Sequence, residues 1–183
     1  MLMRNGIALR KRYIFRRQAC ALLLLLASPT IVGMTGRTTN WEIRVLASQN
    51  MERSSLGLSP LDWDATLAGS AQQWAGYLAR TGRFEHSRDN ASHSEGENLW
   101  AGSKGYYTPE AMTGAWIAEK RHFILGIFPD NSDTGNVEDV GHYTQLVWRS
   151  SKRIGCALAE GRSEDFLVCR YSDAGNWVGD RPY

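Results

Sequence analysis

The chain has 183 residues and a formal net charge of +2, but that charge is unevenly spread. The first 36 residues hold 6 of the 21 basic side chains and none of the 19 acidic ones, so the rest carries 15 against 19 and sits near −4. A nucleic-acid partner needs a basic stripe on the folded part, and none remains, which excludes that class.

The leader sets the context for everything after it. Arg4, Arg10, Lys11, Arg12, Arg16 and Arg17 form a basic region ahead of an apolar run from Ala19 to Ala27, with leucine at every position from Leu22 to Leu26. This pattern reads as a secretory signal, short of the roughly 20 apolar residues a spanning helix needs. Ser28, Thr30, Gly33 and Gly36 are small, yet no A-x-A cleavage site stands out, so an uncleaved anchor stays open. Membrane contact is expected only through this leader. Cys20 precedes the leucine run, which argues against lipoprotein processing. The division expected is residues 1–36 as leader and 37–183 as one domain, a usual size for a single core. Two cysteines remain there, Cys156 and Cys169, which in an exported protein are most simply one disulfide.

Thr39-x-x-Glu42 is a capping box, and Ile43, Leu46 and Ala47 follow at helical spacing, predicting a first helix that ends near Arg53. Asp64 caps a second helix whose apolar residues Leu67, Ala71, Trp74, Ala75 and Leu78 share one face, with Gly82 as its stop. The segment from Arg83 to Ser103 reads as polar and irregular and carries His86, His93 and Glu97. Thr108-Pro109 opens a third helix, threonine as cap and proline at the first helical position. Its inward stripe is Met112, Ala115, Trp116, then Glu119, then Phe123. A carboxylate in that stripe needs a partner, because an unpaired buried charge is very costly.

Pro129 to Val140 reads as a long acidic loop. Beyond Gly141 the runs Tyr143–Trp148, Ile154–Ala159 and Phe166–Tyr171 read as strands. The last two flank a polar turn and form a hairpin in which Cys156 and Cys169 face each other, roughly 4.5–5.5 Å apart at Cβ, near enough to bridge. Helices followed by an antiparallel hairpin make the fold class α+β.

Four residues carry candidate chemistry: His86, Glu97, Glu119, and His142 leading into a strand. Each has a plain structural reading as a solvated histidine, a turn acid or half of an ion pair. His93 and His122 are left at that reading.

The local strings change the weight of the four. Gly141-His-Tyr-Thr-Gln-Leu-Val-Trp148, followed by Gly155-Cys156, resembles the CAP superfamily pattern, which joins cysteine-rich secretory proteins, insect venom antigen 5 and plant pathogenesis-related 1 proteins. Phe84-Glu-His-Ser87, Gly96-Glu-Asn-Leu-Trp100 and the ending Cys169 to Tyr183 agree in order and spacing. The resemblance implies a three-layer α-β-α sandwich around a small central antiparallel sheet. It also implies a cleft lined by two histidines and two acids, here His86, Glu97, Glu119 and His142. Trp63, Trp74, Trp100, Trp116 and Trp148 stay most simply core or pocket wall. Gln49 stands where many members carry histidine, a change expected to leave the cleft untouched.

Two imidazoles beside two carboxylates hold a divalent ion such as zinc, His86 and His142 binding directly and the acids orienting the rings. The alternative is a metal-free network that locks the fold; no cofactor is obligatory in either reading. The resemblance implies a secreted, extracellular or periplasmic, non-catalytic binding module for a lipid or sterol, a small ligand or an extracellular protein partner. Pro129–Val140 and Ala101–Thr108 would frame an apolar groove for it. The alternative function is a metal-dependent hydrolase or protease in the same cleft, although no H-E-x-x-H helix is present. The tail from Ala174 to Tyr183 resembles a peptide that plant members are proposed to release; its plain reading is that it completes the sheet edge.

Overall fold

The computed structural model describes Gly36 and residues 39–88 and 95–183; residues 1–35 of the leader and His93 lie outside the described residues. Among the described residues no helix is long and apolar enough to cross a membrane.

The first helix, α1, spans Trp41–Ser55. The capping box does not start it: the N-cap is Asn40, left-handed at φ 51°, with no side-chain cap bond. Nor does the Ile43–Ala47 spacing mark the buried face, for Ile43 is exposed and the inward line is Val45, Gln49 and Arg53. Arg53 explains that choice. Its guanidinium is fully buried and donates to four backbone carbonyls, those of Ser59 (2.9 Å), Leu146 (2.9 Å), Trp148 (2.9 Å) and Ser151 (3.1 Å). Burial pushes its pKa below the ordinary arginine value.

A two-residue strand, β1 (Asp62–Trp63), leads into α2 (Ala65–Thr81). Both ends of α2 are as the sequence predicts. Asp64 accepts from the backbone N–H groups of Thr66 (2.8 Å) and Leu67 (3.1 Å), and Gly82 closes the helix in the left-handed region at φ 66°. Leu67, Ala71, Ala75 and Leu78 are buried, while Trp74 is only half-buried.

The segment expected to be irregular contains a nine-residue strand, β2 (Glu95–Ser103), paired antiparallel with β4 along its whole length. Glycine, glutamate and asparagine are poor strand formers, so nothing local announces it; the ladder to β4 supplies what propensity does not. α3 (Pro109–Ala118) begins as predicted, with Thr108 capping the N–H of Ala111 at 3.3 Å and proline at the start. It buries Met112 and Trp116 and tightens into a 3-10 turn over Glu119–His122. The acidic loop holds a second 3-10 turn, Val137–Asp139.

Tyr143–Trp148 is not a strand. Gly141–Leu146 forms a short helix, α4, in which Tyr143, Thr144, Gln145 and Leu146 are all buried. Its composition favours a strand, but charged side chains from elsewhere hold both of its ends, as described below. β3 (Arg153–Glu160) and β4 (Glu164–Ser172) then form the predicted hairpin with Cys156 opposite Cys169, and these two are disulfide-bonded.

The sheet order is β1-β3-β4-β2, antiparallel apart from β1, which runs parallel to β3. Side chains alternate between its faces. One face carries Leu99, Ala157, Phe166 and Val168 and packs on Ala71, Ala75 and Leu78 of α2. The other carries Ile154, the disulfide, Leu167 and Tyr171 and packs with Val45 of α1, Met112 and Trp116 of α3 and Leu146 of α4. These are the three layers. At Gly155 the approach of α2 is so close that a Cβ would run into the backbone of Asp64, Leu67 and Ala68. The tail beyond Ser172 does not extend the sheet. It crosses α4 and the preceding loop through Thr144–Asn176 (2.7 Å), Phe128 N–H to Asp180 O (2.8 Å) and Arg149 N–H to Pro182 O (2.7 Å).

Replacing Arg53 with methionine leaves buried carbonyls without donors and should lower unfolding stability by on the order of 3 kcal/mol, with Arg53→Lys intermediate. Urea denaturation of the three proteins measures it; a methionine variant as stable as wild type would contradict the four-carbonyl account. At Asp64 the bond from the Leu67 N–H leads the causes that hold the carboxylate below its ordinary value of 3.8. A depressed folded pKa means that its contribution is complete above the ordinary value and lost as pH falls through the folded one. The stability gap between wild type and Asp64→Ala should therefore be constant near neutrality and close on acidification.

Candidate functional site

The cleft is built at the β2 side of the sheet from two histidine–glutamate pairs that belong to different layers. Glu97 lies on β2 and shares the α2-facing surface with Leu99. Its side chain is 1% exposed. Oε1 of Glu97 accepts from the backbone N–H of Ser87 at 3.1 Å and contacts Nδ1 of His86 at 2.6 Å. His86 follows α2 in the chain, and its ring is 62% exposed. A carboxylate oxygen accepts, so Nδ1 is the donor, and in a neutral ring the lone pair is then on Nε2.

The second pair belongs to the helical layer. Glu119 stands where α3 passes into its 3-10 turn. The partner that the sequence reading required is the start of α4. Oε2 accepts from the backbone N–H groups of His142 and Tyr143, both at 3.0 Å, and Oε1 contacts Nδ1 of His142 at 2.6 Å. Glu119 is thus a remote cap: its negative charge sits at the positive end of a helix and holds the first side chain of that helix. The His142 ring lies parallel to Trp116, with centroids 6.0 Å apart. Asn98 on β2 donates to the carbonyl of His142 at 3.0 Å.

Both rings line a cavity of about 420 Å³, together with Glu97, Phe84, Phe128 and Asn176. Val137 and Glu138 bring the acidic loop to its wall, whereas Ala101–Thr108 takes no part. Glu119 does not line the cavity but stands behind His142. His122 lies apart from it and pairs with Asp133 at 3.0 Å. With both Nδ1 atoms engaged, two Nε2 nitrogens are left for a ligand. Among the described residues no group of three or more histidine, cysteine, aspartate and glutamate side chains converges. The two imidazoles thus line one cavity without a third ligating side chain beside them among the described residues.

Two side chains of this site, Arg170 and Asn98, are not marked as such by the sequence, and Trp116, expected as core or pocket wall, has a further role beside His142. Arg170 on β4 faces Glu97 across the ladder and lies 2.9 Å from its Oε2. Asn98 and Trp116 fix His142. The only available signal was Arg170 itself, a charge inside the apolar run Phe166–Tyr171. The buried Gln49 does not reach the cavity, but it accepts from the Tyr171 hydroxyl at 2.8 Å. Asn98 bonds that same hydroxyl at 3.2 Å, so Gln49 connects to the cleft through two side chains.

Residues 46–171 match the model of the CAP family, described as the cysteine-rich secretory protein family. The chain is 38% identical over 139 residues to pathogenesis-related leaf protein 4 of Solanum lycopersicum, covering 75% of this chain and 80% of the relative. It is 33% identical over 154 residues to pathogenesis-related protein 1A of Nicotiana tabacum, covering 84% and 87%. Among solved structures it is similar in fold to NaASP2, crystallised with Zn2+, at TM-score 0.67 and 23% identity over 84% of this chain and 88% of that one. BmVAL-1 aligns at TM-score 0.61 and 25% identity over 80% and 82%. The chain belongs to the CAP, or cysteine-rich secretory protein, family.

Proposed function

We propose that this chain is an exported, non-catalytic binding module whose cleft holds a divalent cation through Nε2 of His86 and His142. The observation that carries the reading is the paired geometry, in which each imidazole gives Nδ1 to a carboxylate 2.6 Å away. A metal-binding histidine commonly has this arrangement, the carboxylate fixing its tautomer and raising its basicity. Two protein nitrogens give modest affinity, so zinc is an exchangeable ligand and not an obligatory cofactor. NaASP2, which shares the fold, was crystallised with Zn2+.

Export is read from the leader, residues 1–36, ahead of the domain at 37–183, and it fits a disulfide, which persists in oxidising compartments. The place of action is extracellular or periplasmic. Leu99, Phe84, Phe128 and Val137 give the cavity an apolar wall beside its imidazoles. That combination suits a small amphipathic ligand such as a lipid or sterol, or a protein partner's side chain.

The hydrolase reading asks one carboxylate to take a proton from metal-bound water. Glu119 has both oxygens occupied by His142 and Tyr143, and Glu97 is held by His86, Ser87 and Arg170. Neither Glu119 oxygen nor Oε1 of Glu97 can serve as base without giving up a bond at its histidine, and Oε2 of Glu97 is buried beside Arg170. Binding, not turnover, is what the arrangement favours.

Calorimetric titration with zinc should show saturable binding to wild type that disappears in the His86→Ala, His142→Ala double variant. Equal heats from both proteins would overturn the metal reading and leave a structural network. Glu119→Gln keeps shape but loses the charge at the α4 terminus. It should weaken zinc binding by about 10–100-fold and lower thermal stability together. A variant that turns over a peptide or ester library less well than an active wild type would instead favour the hydrolase.

A further inference from the structure

We propose that Arg170 is the positioning residue of this cleft, its buried guanidinium fixing Glu97 and, through Glu97, the ring of His86. The two side chains face each other across the β2–β4 ladder and are 6% and 1% exposed. They lie on the face that packs against α2, among Leu99, Ala157, Phe166 and Val168. A carboxylate removed from water in such a layer needs a counter-charge and hydrogen bonds. Arg170 supplies the charge from Nη2, 2.9 Å from Oε2, with Glu95 further off at 3.7 Å from Nη1. This leaves Oε1 for His86 and the Ser87 N–H.

The same Nη2 donates to Oγ of Ser87 at 2.9 Å. One planar group therefore holds both the acid that orients His86 and the residue next to it in the chain. Packing cannot do that work, because the ring of His86 is 62% exposed. His142 is held differently, by Glu119 and by stacking on Trp116, with no arginine involved in either contact. It is an internal control. Both contacts come from one nitrogen, so lysine would keep the charge and lose the fixed direction of the guanidinium N–H groups.

The proposal rests on His86 as a ligand, but the orientation of the ring belongs to the metal-free protein and is measured separately. The test compares wild type with Arg170→Met by nitrogen-15 NMR of the imidazoles without metal, and by zinc calorimetry. In wild type both histidines should show the Nδ1–H tautomer. In Arg170→Met, His86 should relax to the tautomer mixture of a free imidazole while His142 keeps its signal, and zinc affinity should fall about 10–100-fold. Unchanged His86 signals and affinity would overturn the proposal. So would equal disturbance of both rings, which marks a general loss of structure. If wild type binds no zinc yet His86 alone is released in the variant, the metal reading fails and the role of Arg170 stands. Should the methionine variant not fold, Arg170→Lys carries the same comparison: selective release of His86 supports the proposal and an unmoved His86 defeats it.

Discussion

A helix of six residues should not exist on its own, because one turn fixes several residues before any propagation repays it. α4 exists because opposite charges are fixed at its two ends. Glu119 accepts from the backbone N–H groups of His142 and Tyr143 at the positive terminus. Arg53 donates to the carbonyls of Leu146 and Trp148 at the negative one. The two charges arrive on different helices, α3 and α1, so α4 forms only where those helices already stand in place. Everything functional in the helical layer, above all the position of His142, follows from that clamp.

The sheet supports the other half of the cleft by an unrelated route. Glu97 belongs to β2 and finds its counter-charge on β4, within a layer otherwise filled by apolar side chains under α2. On the opposite face of the sheet, Tyr171 and Asn98 join Gln49 of α1 in a polar chain that ends on the His142 carbonyl. Burial raises the pKa of the Tyr171 hydroxyl, so it remains a neutral donor to Gln49. Polar groups on the two faces thus reach the two histidines, on one face the ring of His86 and on the other the backbone of His142. A core built for stability alone would have used apolar residues at several of these positions.

These two routes explain which parts of the molecule could be read from the sequence. Where a residue acts on its own neighbours, as Asp64, Gly82, Thr108 and Pro109 do at helix ends, its chemistry and spacing were sufficient. The hairpin register that pairs Cys156 with Cys169 is likewise a local property of two strands and a short turn. β2 and α4 are not legible locally because both are held by partners far along the chain. Glu95–Ser103 has the composition of a loop, and Tyr143–Trp148 that of a strand. Glu119 was visible as an inward acid, since helical period alone gives its direction, but its partner was not. Arg170 stayed hidden because β2 had not been recognised as the strand opposite it. The four cleft residues stand out singly by their chemistry and as a set through the family resemblance, while their pairing belongs to the fold.

The separation of the two imidazoles depends on what joins the layers, and that task falls on Trp116. Its indole N–H donates to the carbonyl of Leu99 on β2 at 3.0 Å, while its ring lies parallel to His142. Asn98, the preceding residue of β2, holds the backbone of His142 from the other side. Leu99 and Asn98 are the next residues after Glu97, so three consecutive positions of one strand set His86 by way of an acid and His142 by way of an indole and an amide. A shift of β2 by one residue would turn Glu97 to the opposite face and break both connections at once. The register of this outer strand is therefore the constraint that makes two independent pairs into one site.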